Sequence, residues 1–171
     1  MENVFNTDKR ISLGIWGLGR GQNFIQSARH LNIDVVAGCD INEEMRKSFA
    51  RNAPGAFITD NEDEFLARDF DAVLIATYFP DHARHAIKAL AAGKHVFIEK
   101  PMARTEAEAE ELVAFAEHQG LVIMVGHTFL FSPAVRRMKE IIDAGDIGEV
   151  QYISARRLNL GLFQKDINVA W

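Results

Sequence analysis

Short β-branched runs alternate with capped helical segments along most of the 171-residue chain. The runs are Ile11–Trp16, Ile33–Cys39, Ala72–Thr77, His95–Glu99 and Leu121–Val125, with Gly55–Thr59 a shorter candidate. Each is too short for a helix and apolar at nearly consecutive positions, as in a strand buried on both faces. The segments between them have helix ends. Thr105 and Glu108 have the spacing of a capping box, Ala109, Leu112, Val113 and Ala116 mark one face behind it, and Gly120 supplies a left-handed stop. Another helix begins at Pro80 or Asp81, turns Ala86, Ile87 and Leu90 inward and ends at Gly93, while Asn42 and Asp60 are expected to cap two shorter ones. The alternation predicts an α/β fold, a doubly wound parallel sheet covered by helices, because right-handed crossovers must pack back on the sheet.

The rhythm changes after Val125. Ser132-Pro133 opens a helix with Val135, Met138 and Ile142 on one side, Gly145 and Gly148 bracket a turn, and Val150–Leu158 reads as an alternating, half-exposed strand. The expected organisation is the doubly wound α/β domain over residues 1–130 and the incomplete start of an α+β domain over 131–171.

Composition limits what such a fold serves. With 19 basic and 24 acidic residues the chain carries a formal charge of −5, unlike a nucleic-acid binder. No apolar run reaches the roughly 18 residues of a membrane span, and Met1–Arg10 lacks the apolar core of a signal peptide. The single Cys39 excludes an internal disulfide framework. These features predict a cytoplasmic protein that meets neither nucleic acid nor membrane.

Gly17, Leu18, Gly19, Arg20, Gly21, Gln22 and Asn23 lie between the first strand and the first helix. There a first Gly allows the tight turn, a second lets the backbone approach a pyrophosphate, and the helix N-terminus favours anionic groups. The third Gly stands at 21, where the G-x-G-x-x-G pattern would put it at Gln22. Asp40 closes the second strand 21 residues after Gly19, where a carboxylate can accept both adenosine ribose hydroxyls. It would repel a 2′-phosphate, and Ile41-Asn42 offers no cation in exchange, which favours NAD over NADP. Read from these residues alone, an FAD or S-adenosylmethionine site, or a plain strand-helix turn, stays open.

Glu99-Lys100-Pro101 follows the fifth strand at the carboxyl edge of the sheet, where ligands bind in such folds. A lysine there can bond a substrate hydroxyl and stabilise charge that develops as hydride leaves. Together with Gly17–Asn23, Ala76-Thr77-Tyr78-Phe79-Pro80-Asp81-His82, the Ala92–Pro101 stretch, Val125–Phe129 and Arg156–Gly161, this turn resembles the Gfo/Idh/MocA family of sugar, inositol and nucleotide-sugar dehydrogenases. Tyr78-Phe79 stand where that family often has prolines. The resemblance implies that Lys100 is the active-site lysine and that Thr77 and His82 lie along the cofactor, with Ala76, Tyr78 and Ile41 among its contacts. It further implies that Glu99 sits near the nicotinamide ribose and His127 near the nicotinamide or substrate. Arg157 and Asn159 fall in a piece associated with nucleotide-sugar members.

Plainer roles stand beside these. His82 and His127 also fit packing positions, His30, His85, His95 and His118 read as surface or packing, and Arg136, Arg137 and Lys139 read as the wet face of their helix. No cluster of His, Cys, Asp and Glu argues for a metal, and there is no Ser-centred elbow of a hydrolase. The resemblance places the general acid/base in an Asp-x-x-x-His-like segment shortly beyond the counterpart of Trp171, and homo-oligomerisation in the longer protein. Two expectations follow. One is an NAD-dependent oxidoreductase of a secondary alcohol on a sugar or nucleotide sugar, with this chain inactive by itself. The other is a catalytically silent dinucleotide-binding module.

Overall fold

The computed structural model describes residues 8–156. In chain order the elements are β1 (Ile11–Trp16), α1 (Leu18–Gly21), α2 (Phe24–Arg29), β2 (Ile33–Cys39), α3 (Glu43–Asn52), β3 (Phe57–Thr59), α4 (Glu62–Leu66) and β4 (Ala72–Ile75). Then come α5 (His82–Ala91), β5 (His95–Ile98), α6 (Glu106–His118), β6 (Ile123–Val125) and α7 (Pro133–Asp143). The six strands form one sheet in the order β3-β2-β1-β4-β5-β6, and every neighbouring pair is parallel. This is the doubly wound Rossmann arrangement, and the direction of winding reverses between β1 and β4.

Both faces of the sheet are dry, which is why its strands read as nearly continuous apolar runs. Leu13, Ile15 and Leu74 pack with Leu18, Ile25 and Phe49 on one face. Trp16, Val73, Ile75, Val96 and Ile98 pack with Phe65, Leu90 and Leu112 on the other. Each fully buried aliphatic or Phe side chain contributes about 1.5–3 kcal/mol. Gly14 makes space for two of the rings, since a Cβ there would lie 2.7 Å from Phe65 and 2.8 Å from Phe70.

The first two strands match expectation to the residue. The four others are shorter: Gly55 lies before β3, Thr77 and Glu99 lie past the carboxyl ends of β4 and β5, and Leu121 lies before β6. Asn42 caps α3 as expected, accepting from the Glu44 and Met45 N–H groups. The cap of α4 is Asn61 and not Asp60, because the helix starts at Glu62 and the Asp60 carboxylate pairs with Arg46. Thr105 accepts from the Glu108 N–H, but Glu108 accepts in turn from the N–H of Arg104, one residue earlier than a capping box would have it. On α6, Leu112 and Ala116 are buried with Phe115 packed beside them, while Val113, about 100° further round from Leu112, is 42% exposed.

The contacts divide the chain between His127 and Thr128. The following unit holds a 3-10 turn over Thr128–Phe131 and then α7 behind Pro133. Arg136 bonds the Leu130 carbonyl and lies over the Phe131 ring, and Gly148 bonds Gly145 to close the expected turn. Residues 150–156 form no strand, in contrast to the reading of Val150–Leu158; no described strand pairs with them to take their backbone N–H and C=O groups. Arg157, Asn159 and Trp171 lie outside the described residues. Among those described, no helix is long and apolar enough to cross a membrane.

Candidate functional site

The sheet order brings the carboxyl ends of β1 and β4 side by side, and the Gly-rich turn occupies that switch point. Gly17 has φ 92°, and a Cβ on it would lie 2.5 Å from the Ala76 carbonyl carbon and 2.6 Å from the Thr77 nitrogen. Only glycine satisfies both the left-handed conformation and the close strand ends. Gly21 sits against β1, where a Cβ would be 2.5 Å from Ile15 Cγ2. It therefore performs the helix–strand packing that the third glycine of the pattern provides, although it stands one residue early. Gln22 instead accepts from Ser48 and Asn52 on α3.

Gly19 differs from both. A Cβ there would meet only Met45 Sδ, at 3.8 Å, so its backbone faces open space that an approaching pyrophosphate can use. The first helical bond runs from Gly21 N to Gly17 O, which leaves the Gly19 and Arg20 N–H groups without intrahelical acceptors. The helix behind them is short: α1 ends at Gly21, and Gln22-Asn23 separate it from α2. A dipole contribution from so few peptides is small, which leaves the backbone donors themselves, with Arg20, as the groups at this turn that could hold an anion.

Asp40 stands across from this turn. One carboxylate oxygen accepts the Leu18 N–H at 2.7 Å, and the other accepts the Asn42 N–H at 2.8 Å. Each oxygen keeps lone-pair capacity for a hydroxyl donor. Ile41 beside it is 91% exposed and presents an apolar face at the tip of the loop. The fold also brings up a cation that spacing near Ile41 did not reveal. Arg46 Nη1 donates to the Asp40 and Ile41 carbonyls, and Nη2 lies 3.3 Å from Asp60. Its guanidinium is thus committed to the loop that holds Asp40.

Past β4, the Thr77 carbonyl and hydroxyl each meet a histidine from α5. His82 is buried, with Nδ1 2.7 Å from the Pro101 carbonyl and Nε2 3.1 Å from the Thr77 carbonyl. It ties the loop after β4 to the Glu-Lys-Pro turn, so both ring nitrogens face backbone oxygens. Its neighbour His85, read as surface or packing, is buried and its Nδ1 lies 2.8 Å from Thr77 Oγ1. The ring packs against Trp16 with centroids 4.0 Å apart and planes tilted by 35°, and Nε2 is 2.6 Å from Arg84 Nη2. Burial, then the nearby Arg84 charge, lower the His85 pKa to about 4. Arg84 is braced by Glu62, which also receives Lys88. Burial works to raise the Glu62 pKa, but the bonds from Lys88 and Arg84 outweigh it and leave it lowered. Sequence spacing carried one usable signal for this group, the i, i+3 pair His82 and His85 on a single helix face.

Glu99 and Lys100 emerge beyond β5, Lys100 exposed and Glu99 half-buried, and the Lys100-Pro101 peptide is cis. Glu99 Oε1 lies 3.7 Å from the point where a Cβ on Gly126 would stand, so the ends of β5 and β6 adjoin. His127 is exposed one residue further on. Tyr78 and Phe79 form an exposed aromatic pair, centroids 5.6 Å apart, next to Thr77. The structure therefore gathers the expected residues along one edge: the glycines, Asp40 and Ile41 from β1 and β2, Ala76 to His82 from β4, and Glu99, Lys100 and His127 from β5 and β6. Cys39 is buried at the end of β2, and burial first, with nearby carboxylates, pushes its thiol up to about 12, so it packs and does not react. Among the described residues no group of three or more His, Cys, Asp or Glu is placed to hold a metal ion.

Comparison with known proteins agrees with this geometry. Residues 11–127 match the model GFO_IDH_MocA, described as an oxidoreductase family with an NAD-binding Rossmann fold. Inositol 2-dehydrogenase 3 of Saccharopolyspora erythraea is 32% identical over 142 residues, 81% of this chain and 42% of that protein. A dihydroxycyclohexadiene carboxylate dehydrogenase of Comamonas testosteroni ("1-carboxy-3-chloro-3,4-dihydroxycyclo hexa-1,5-diene dehydrogenase") is 33% identical over 147 residues, 82% of this chain and 36% of that one. Scyllo-inositol dehydrogenase from Lactobacillus casei, solved with NAD(H) and scyllo-inositol, superposes with a TM-score of 0.76 at 26% identity, over 82% of this chain and 43% of its own. A 3-ketoreductase from Actinomadura kijaniata, solved with NADP and TDP-benzene, gives 0.75 at 30% identity, over 82% and 44%. In each case the chain spans less than half of the protein it matches. With the family model covering residues 11–127, the chain belongs to the Gfo/Idh/MocA oxidoreductases, the NAD-binding Rossmann family.

Proposed function

We propose that the chain is the cofactor-binding part of an oxidoreductase that moves hydride between NAD and a secondary alcohol of a sugar, cyclitol or nucleotide sugar. The observation that supports this reading is the Asp40 carboxylate, which accepts the Leu18 N–H of the Gly-rich turn beside the open backbone of Gly19. NAD, when bound, supplies the hydride acceptor. Gly19 and Arg20 hold the pyrophosphate through backbone N–H groups, and Asp40 accepts the two adenosine ribose hydroxyls. A 2′-phosphate would place its charge against that carboxylate, and the nearby Arg46 is already committed to carbonyls and Asp60. Thr77 and Glu99 contact the nicotinamide half, and Lys100 donates to the reacting hydroxyl and stabilises its developing negative charge. His127 borders the substrate. The chain spans 42% of the inositol 2-dehydrogenase 3 relative, and we assign the acid/base that exchanges the hydroxyl proton, and most substrate contacts, to the part of such relatives that it does not span.

Calorimetric titration of the chain with NAD and NADP tests the cofactor assignment. NAD should bind more tightly, and Asp40→Ala should abolish the difference. Equal affinities for the unaltered chain would refute the role given to Asp40. For the reaction, the protein as its source produces it should reduce NAD in the presence of a panel of cyclitols and sugars, and Lys100→Met should remove turnover while leaving NAD affinity unchanged.

A further inference from the structure

Resting on the cofactor reading above, we infer that His85 is a positioning residue: clamped between Arg84 and Thr77, it fixes the Thr77 hydroxyl as a hydrogen-bond donor toward the cofactor. The argument follows from what each group can donate. A guanidinium has N–H groups and no acceptor, so at 2.6 Å Arg84 Nη2 donates and His85 Nε2 accepts. An Nε2 that accepts carries no proton, so the neutral ring holds its hydrogen on Nδ1. That nitrogen lies 2.8 Å from Thr77 Oγ1, and the hydroxyl oxygen must accept from it. Thr77 then keeps its own O–H to donate elsewhere. Thr77 is only half-buried, at the carboxyl edge between the Gly-rich turn and the Glu-Lys-Pro turn, so a bound cofactor's oxygen is the acceptor it serves.

The clamp is built to hold one arrangement. Contact with Trp16, the residue before Gly17, restricts reorientation of the His85 ring, with the two planes 35° apart. Arg84 is bound through Nη1 to both Glu62 oxygens at 3.1 Å, so it presents Nη2 to the ring from a fixed position. Glu62 begins α4, after β3, on the side of the sheet that carries Asp40. The relay Glu62–Arg84–His85–Thr77 therefore couples the β3–α4 junction to the hydroxyl, with no residue of it except Thr77 touching cofactor. The opposite tautomer would set two N–H groups against each other at Arg84.

Nitrogen-labelled histidine NMR on the chain without cofactor tests the tautomer directly. His85 should show the less common Nδ1–H form, and Arg84→Met, a change at a half-exposed side chain, should convert it to Nε2–H. An Nε2–H ring in the unaltered protein overturns the inference, whatever the chain binds. NAD calorimetry supplies the second arm. His85→Phe keeps a ring against Trp16 and should weaken NAD about five- to tenfold, the worth of one hydrogen bond. Thr77→Val should do the same, and the double variant should be no weaker than either single one. Strictly additive losses overturn the relay. Failure of the unaltered chain to bind NAD refutes the cofactor reading, while the tautomer measurement still judges the geometry of the clamp.

Discussion

Acidification should destabilise this protein well before its carboxylates titrate, and His85 is the reason. An ordinary histidine has a pKa near 6.5 and this one is lowered to about 4 by burial and by the charge of Arg84, against smaller opposing effects of Asp81 and Glu62. The folded state therefore prefers the neutral ring. Above the unfolded value neither state binds the proton and nothing is lost. As pH falls below about 6.5 the unfolded chain takes up a proton that the folded chain refuses, and stability declines until the folded pKa is passed. The slope is about 1.4 kcal/mol per pH unit for one proton. From pH 7 to 4.5 the integrated loss from this single group is about 2 kcal/mol, a sizeable share of a typical 5–15 kcal/mol stability. Urea unfolding of the unaltered chain and of His85→Phe across this range isolates the effect. The lowered carboxylates Asp34, Asp71, Glu62 and Glu108 lose their contribution further down, as pH falls through their folded values, and they are present in both proteins. The unaltered chain should lose about 2 kcal/mol more than the variant. Parallel pH profiles would refute the claim that His85 is held neutral in the fold.

Three further outcomes follow from the geometry. Gly21→Val should push α1 off β1, because even its Cβ would lie 2.5 Å from Ile15 Cγ2; overpacking of this kind costs about 1–3 kcal/mol, seen in thermal unfolding, and NAD binding should weaken with it. Asn42→Ala and Asn61→Ala each remove a side-chain cap and should cost about 1 kcal/mol in urea unfolding, whereas Asp60→Ala should not lose a cap. Cys39 should resist a disulfide reagent at mildly alkaline pH until the protein unfolds, because its thiol is buried and remains protonated. Fast labelling of the folded chain would contradict that placement.

Much of the scaffold was readable along the chain because its signals are local. Strands buried on both faces require consecutive apolar residues, which is why the limits of Ile11–Trp16 and Ile33–Cys39 are legible in the chain. Gly17, Gly19 and Asp40 are legible because a tight strand-helix turn and a carboxylate at a strand end leave fixed residue types at fixed spacings. Strand ends at Thr77 and Glu99 were harder, since apolar character runs on after the last ladder bond. The cap of α4 lies one residue beyond the expected Asp60 because Asp60 and Asn61 are both competent caps, and the ion pair of Asp60 with Arg46, which comes from another element, takes the first of them.

What sequence by itself determined is the class of fold, the place of the Gly-rich turn and the candidate edge carrying Lys100. Tertiary structure alone decided how those parts are wired. It gave Gly21 the packing role expected at position 22, brought Arg46 beside Asp40, and made His85 a bonded partner of Thr77. The physical reason is range. Helix caps, turns and strand runs are set by neighbours in the chain, but a hydrogen bond such as Leu18 to Asp40 or a brace such as Glu62 to Arg84 joins residues 22 positions apart in each case. Such pairs have no periodicity to read, and they exist only once the sheet has placed its strand ends together.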